Sequence, residues 1–288
     1  MILVTGATGS IGRHLVRRLD ELGAPFRALV RDADQGRALG CPYAVGDFDD
    51  PDSIAAAVVG IDRVLLNGAG AVPTPDGRPQ PMVAQQKTVI DAAGRAGVRR
   101  IVKVSVWHAH RGGRLAQGAH WEIERHLEAS GVEWSLLHPS GFMQNFLTGA
   151  GTFDDNGSLI APAVDAPVSY IDCHDIAASA AVLLTEPRGA GETFVLTGPE
   201  ALTMREVADH LEGSLGRPVG VVALGAEDMA ARLEAQGVPR RFADDVAHLW
   251  ADVGTGSMAA TTPAVEHLTG REPRTFVAFL AANRNALR

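Results

Sequence analysis

The sequence predicts an α/β protein: a doubly wound parallel sheet in the first half of the chain, followed by a smaller α+β lobe. Three observations carry that prediction. Short runs that are apolar throughout alternate with amphipathic helical stretches, as in a parallel sheet covered on both faces. The first run leads straight into Gly6, Gly9 and Gly12, which open a helix. Beyond about residue 150 the alternation gives way to short, turn-rich segments and then to helices.

Taken in order, Ile2–Thr5 reads as a buried strand, and Ile11, Leu15, Leu19 and Leu22 mark one face of the next helix. Phe26–Val30 is the second strand, Asp34–Leu39 a short helix and Tyr43–Val45 a brief third strand. The acidic turn Gly46–Asp52 leads to a helix through Ile54–Val59 and a fourth strand, Arg63–Leu66. "GAGAVPTPDGRPQP", Gly68–Pro81, is too rich in Gly and Pro for regular structure and reads as a loop. A helix at Met82–Gly94, a strand at Arg100–Ser105, a helix at Gln117–Ala129 and a strand at Glu133–Leu137 complete the alternation. Right-handed crossovers wind such units into a Rossmann-type sheet. Further on, Asp175 is expected to cap a helix over Ile176–Leu184, and Glu192–Leu196 reads as a strand. Thr203 with Glu206 fits a capping box for a helix reaching Leu215, and the rest is mostly helical. The expected division is a first domain over 1–150 and a smaller lobe over 151–288, with the chain free to cross between them.

Composition narrows the function. A content of 46% hydrophobic and 21% charged residues is that of a soluble globular protein. The net charge of -8 argues against a nucleic-acid partner, which calls for a basic face. Two cysteines, Cys41 and Cys173, suggest neither a disulfide framework nor a zinc site. Glycine interrupts the apolar start by position 6, too early for a signal sequence or membrane span, so a cytoplasmic protein is expected.

A glycine triplet between a strand and an amphipathic helix suits a dinucleotide. The glycines allow a tight turn and close approach of backbone to a pyrophosphate, whose charge sits at the helix N-terminus. Thr8, Ser10 and Ile11 would line that turn; an unliganded strand–helix turn is the competing reading. The spacing Gly6-x-x-Gly9-x-x-Gly12 in "VTGATGSIG" resembles the short-chain dehydrogenase/reductase superfamily, particularly its extended and atypical members. "GDFDDPDSI", "HWEIERHLEASGVEWSLLHPSGFMQNF" and "YIDCHDIAASAAVLL" with "GETFVLTGPEALTMREVA" are together similar to the NmrA-like atypical group. That resemblance spans nearly the whole chain and implies either NADPH-dependent quinone and azo-dye reductases or NADP-binding regulators.

In an NAD-binding unit a carboxylate about twenty residues past the glycines accepts the ribose hydroxyls. Here the second strand ends "ALVRD", which puts Arg31 at that place and suits a 2′-phosphate, with Arg37 as a second contact. NADP(H) is therefore favoured over NAD(H), although Asp32 adjoins Arg31 and a solvated strand-end charge is the alternative. The resemblance puts adenine at Asp47 and Phe48, where an Asx turn competes, and cofactor ribose near Asn67 and Gly68, where a plain strand-end turn competes. Pro139, Ser140 and Gly141 set a turn whose backbone suits the nicotinamide carboxamide. Phe142, Met143 and Phe146 read either as pocket wall or as core.

Ordinary short-chain dehydrogenases use a serine and Y-x-x-x-K, whose lysine lowers the tyrosine pKa for proton exchange. Neither tyrosine here, Tyr43 or Tyr170, stands in that motif; Ala116 and His120 occupy its two places. What remains is Ser105, His120 and Glu124, the last two sharing a helix face at i, i+4. Glu124 would orient His120 or raise its pKa, making it a proton donor or a nicotinamide-ribose anchor; a surface ion pair is the alternative. His108 and His110 are solvated loop histidines on this reading, no metal is expected, and His138 reads as structural. The expected function is NADPH-dependent reduction of an electron-poor small molecule: a quinone, an azo compound or a conjugated carbonyl. An NADP(H)-sensing regulator, or an accessory enzyme for coupling or isomerisation with a structural nucleotide, is the alternative. A small-molecule substrate is the expected partner, with a homodimer or a regulatory protein as the protein partners to consider.

Overall fold

The computed structural model describes residues 1–74, 78–148 and 152–287. The chain divides into two compact units, one of Met1–Val72, Gly77–Pro139 and Cys173–Val195, the other of Pro73–Asp76, Ser140–Asp172 and Leu196–Arg288.

The first unit is built as strand–helix alternation. Strand β1 (Ile2–Val4) is fully buried and leads into helix α1 (Ser10–Glu21), whose Ile11, Leu15, Val16 and Leu19 face inward. Leu22, expected on that face, is instead the exposed C-cap, because the helix ends before its apolar stripe reaches it. Strand β2 (Phe26–Val30) is followed by α2 (Ala33–Leu39), capped by the Asp32 carboxylate and closed at Gly40 in the left-handed conformation. Strand β3 (Tyr43–Val45) and α3 (Pro51–Ala57) follow, with Asp50 as cap and Pro51 in the first turn. Strand β4 (Arg63–Leu66), α4 (Pro81–Arg95), β5 (Arg100–Val104), α5 (Leu115–Ala129) and β6 (Glu133–Pro139) complete the series. The loop expected over Gly68–Pro81 is without helix or strand up to α4 where described; its residues 75–77 lie outside the described residues.

In the second unit come α6 (Asn145–Thr148) and β7 (Leu159–Ala161). The chain then returns to the first unit with α7 (Cys173–Thr185) and β8 (Glu192–Leu196). Asp175 does not cap α7: the helix begins at Cys173, so Asp175 lies in its first turn, where a carboxylate favours the positive end of the helix dipole.

The sheet order is β3-β2-β1-β4-β5-β6-β8, and the strand pairs from β3 to β6 run parallel. The order reverses direction between β1 and β4, so a crevice opens there beyond their carboxyl ends. On one sheet face, Leu3, Leu66, Ile101 and Leu136 form a core with Ile54, Ile90, Ile123 and Leu127 of α3, α4 and α5. Neighbouring residues of a strand point to opposite faces. Arg100, next to Ile101, accordingly reaches the carbonyls of Leu183, Glu186 and Arg188 at the end of α7, at 2.9, 3.1 and 2.7 Å.

The rest of the second unit comprises α8 (Met204–Leu215), β9 (Val221–Ala223), α9 (Ala226–Ala235), α10 (Arg240–Gly254), α11 (Ala264–Thr269) and α12 (Phe276–Ala282). The capping box of Thr203 and Glu206 starts α8 as expected, and Gly216 in the left-handed region ends it. Strands β7 and β9 pair in parallel as a small separate sheet. Met143, Phe146, Leu211, Phe276 and Phe279 form this unit's core, so Met143 and Phe146 resolve as core residues.

Candidate functional site: a strand-end groove and a buried polar cluster

The carboxyl ends of β1 to β4 border a groove of about 380 Å³. Gly6, Thr8 and Gly9 line it from β1, Val30 and Arg31 from β2, Asp47 and Phe48 from β3, and Asn67 and Gly68 from β4. Each glycine of the turn answers a different constraint. Gly6 has φ +62°, and a Cβ there would stand 2.9 Å from the Asn67 side chain and carbonyl. Gly9 is the extended N-cap of α1, where no side chain caps the helix and no acidic residue occupies the first turn. An anion at that end meets amide donors and the positive end of the dipole. Gly12 faces the turn itself: a Cβ would lie 2.2 Å from the Gly6 carbonyl oxygen. Ser10, Ile11 and Gly12 belong to the first turn of α1, outside the groove lining, with Ile11 in the core.

Thr5, fully buried, braces the strand ends beside the groove. Its Oγ1 accepts from the Asn67 amide at 2.8 Å and lies 2.8 and 2.7 Å from the carbonyl oxygens of Leu65 and Asn67. That hydroxyl ties the ends of β1 and β4 and holds Asn67 beside Gly6. At β2, Asp32 accepts from the Gln35 amide at 2.9 Å, so its carboxylate serves the cap of α2 while Arg31 lines the groove. Arg37 pairs with Asp34 in an exposed i, i+3 contact and is not in the lining. Asp47 both lines the groove and makes an Asx turn, its Oδ1 accepting from the Asp49 amide at 3.0 Å. Gln35, Asp49 and Gln85 also line it, with Gln85 donating to both Asp49 oxygens at 3.0 Å.

A buried polar cluster stands at the carboxyl end of β5. Ser105 Oγ donates to Glu124 Oε1, which His138 Nε2 of β6 also approaches at 2.8 Å. His120 Nδ1 lies 2.8 Å from Nζ of Lys103, whose ammonium also donates to the Val104 carbonyl at 2.9 Å. Ser105, His120 and Glu124 are thus brought together, all three buried, which removes the surface ion-pair alternative. The pairing inside the cluster differs from the expected one, because Glu124 bonds Ser105 and His138. Burial raises the Glu124 carboxyl, but the His138 and Ser105 hydrogen bonds outweigh it and hold it below its usual range. Burial, reinforced by Lys103 and His138, holds His120 well below its usual range, the reverse of the expected rise. Burial also lowers Lys103 to about 7, against the raising charge of Glu124.

Lys103 and Thr5 are the residues that sequence reasoning missed. The available signal was a lysine inside "RIVKV", where every strand residue is buried. Pro139 ends β6 and accepts from the Trp107 amide at 3.2 Å, and Trp107 stacks on His108 at 4.7 Å. Ser140, Gly141 and Phe142 belong to the second unit. There the Ser140 amide bonds the Leu196 carbonyl at 2.9 Å, the Gly141 carbonyl accepts from Ile171 at 2.8 Å, and Phe142 bridges Ile171.

The pattern of the NmrA-like family matches residues 1–277. The chain belongs to that family. This NmrA-like protein is 36% identical to an NAD(P)H azoreductase of Xenophilus azovorans over 292 residues, covering 99% of each chain. It is 29% identical to quinone oxidoreductase 2 of Escherichia coli, covering 96% of each. Among solved structures, the NADPH complex of the NADPH-dependent quinone oxidoreductase of that organism superposes with a TM-score of 0.82 at 27% identity, covering 98% of this NmrA-like chain and 99% of the other. Among the described residues of this NmrA-like protein no helix is long and apolar enough to cross a membrane.

Proposed function

We propose that the protein is an NADPH-dependent reductase of quinones, azo compounds or conjugated carbonyls. The observation that carries this is the groove at the β1/β4 switch point, with its glycine turn, its uncapped helix end and Arg31. Support also comes from the family and from the names of the azoreductase and quinone oxidoreductase relatives.

The donors present suit a dinucleotide. Gly6, Thr8, Gly9, Ser10, Ile11 and Gly12 would hold the pyrophosphate through turn and helix-end amides, and Arg31 the 2′-phosphate that distinguishes NADPH from NADH. Asp47 and Phe48 would take the adenine, and Asn67 and Gly68 a ribose. Ser140, Gly141 and Phe142 of the second unit, with Pro139, remain our assignment for the carboxamide end. When bound, the reduced nicotinamide supplies a hydride and accepts the positive charge left behind. The chain's part is to orient donor and acceptor and to exclude water. A readily reduced acceptor needs less proton assistance, which agrees with the missing tyrosine motif. Ser105, His120 and Glu124 are the groups we assign to the proton side of the reaction.

The test is a fluorescence titration with NADPH and NADH, followed by oxidation of bound NADPH with a small panel of quinones, azo dyes and enones. Tighter NADPH binding and turnover with at least one acceptor are expected. Binding without turnover on any of them would overturn the reductase reading in favour of a nucleotide sensor.

A further inference from the structure

Lys103 is fully buried in β5, an interior strand of the sheet, and shares its strand face with Ile101 of the core. Its nitrogen has two hydrogen-bond contacts, the Val104 carbonyl and His120 Nδ1. Glu124, the carboxylate acting on it, spends Oε1 on Ser105 and His138. An apolar side chain of similar length would fill this position without the penalty of a buried ammonium. The group is two residues from Ser105, yet no step above uses it.

The geometry points to a proton store: Lys103 holds a proton that His120 passes to the acceptor while the acceptor takes up hydride. This rests on the reductase reading of the site. An ammonium only donates, so His120 Nδ1 accepts from it, and the imidazole's own proton resides on Nε2. As the acceptor gains a hydride and the nicotinamide is thereby oxidised, Nε2 gives its proton to the acceptor oxygen or nitrogen. The Lys103 Nζ proton then moves to Nδ1, leaving a neutral amine. A solvent proton arriving at Nε2 sends the Nδ1 proton back to Lys103 and resets the pair, so the buried nitrogen never needs solvent contact.

The lowered affinity of both groups for protons agrees with these roles. Burial brings Lys103 to about 7, suited to exchange near neutrality. His120 stays neutral and therefore relays rather than stores. The groups facing Lys103 are His120 and Glu124 of α5, and His138 of β6 acts on both of those in turn. Farther out, Lys87 and Asp91 of α4 pair with Glu122 and His126 of α5, and Arg100 of β5 with Glu133 of β6. Lys103 is accordingly a positioning and proton-holding residue that acts through His120.

The test compares wild type with Lys103→Met on two acceptors. A quinone needs a proton as well as hydride, whereas a triphenylmethane dye cation becomes its colourless product by hydride alone. The variant is expected to lose at least about 100-fold in quinone turnover. It should also lose the decline of wild-type rate above pH 7, while its dye reduction stays within about twofold of wild type. Equal loss on both acceptors, or an unchanged quinone pH profile, overturns the proposal. An NMR titration of the full chain without nucleotide reads the pair independently of turnover. His120 as the Nε2–H tautomer and a Lys103 titration near 7 are expected. An Nδ1–H tautomer, or a lysine that stays charged past pH 9, overturns the proposal even if the protein reduces nothing. Failure of turnover with the expected NMR result overturns only the reductase reading.

Discussion

Arg31 and Lys103 are the two cations on which the residue-scale chemistry turns, and they do opposite things. Arg31 is exposed at the end of β2 and lines the groove, where our proposal pairs it with the 2′-phosphate. Arg31→Ala should weaken NADPH binding by about 1.5–3 kcal/mol, roughly 10- to 100-fold, and leave NADH nearly unchanged. Parallel titrations check this, and equal loss for both nucleotides would remove the 2′-phosphate assignment. Lys103 instead carries a folded-state pKa of about 7 against an ordinary value of 10.5. Between those values the unfolded chain binds more protons, so stability rises with pH by up to about 1.4 kcal/mol per unit and is lost as pH falls through 7. The lowered His120 adds to the loss in the same direction below its ordinary value of 6.5. Urea unfolding at pH 6, 7.5 and 9 should show that rise in wild type and a flatter dependence in Lys103→Met.

Elements were the level at which the sequence spoke most clearly, because strand and helix periods and capping residues are local. β1 to β6 and the helices between them appear where the apolar runs and stripes predict them, and the Thr203–Glu206 box starts α8. Thr203→Ala should therefore cost about 1 kcal/mol in thermal denaturation. The departures occur where a neighbour outside the segment decides. Asp175 lies within α7 because that helix extends back to Cys173, and β7 and β9 are short strands that pair with each other across more than fifty residues of sequence. The glycine turn joins the local and the tertiary: its spacing is legible, but the crowding is not. Gly12→Ala would put a methyl 2.2 Å from the Gly6 oxygen and 2.6 Å from the Ala7 Cα, both backbone atoms with little room to move. The substitution should cost about 1–3 kcal/mol in stability, and the forced opening of the turn should weaken NADPH binding.

Across the whole molecule, the groove proposed for the nucleotide is assembled from the ends of four strands within one unit. A ligand that binds only the folded form stabilises it by mass action, about 2.7 kcal/mol at a hundredfold excess over Kd. NADPH should accordingly raise the melting temperature in proportion to its affinity, and Arg31→Ala should abolish most of the difference between NADPH and NADH. A melting curve indifferent to both nucleotides would count against the groove as their site.

The parallel sheet, the glycine turn that opens α1 and the basic residue at the end of β2 follow from the order of residues alone. Each depends on groups within a few positions of one another, so periodicity and spacing carry the information. The partners of Glu124, the burial of His120 and the presence of Lys103 beside it do not. They arise where β5, α5 and β6 meet, and no local pattern states which polar side chains converge or what burial does to their protons. Glu124 shares a helix face with His120 as the i, i+4 spacing requires, yet it bonds Ser105 and His138 from neighbouring strands. Hydrogen bonding inside a protein follows distance in space, and the folded sheet brings those groups closest.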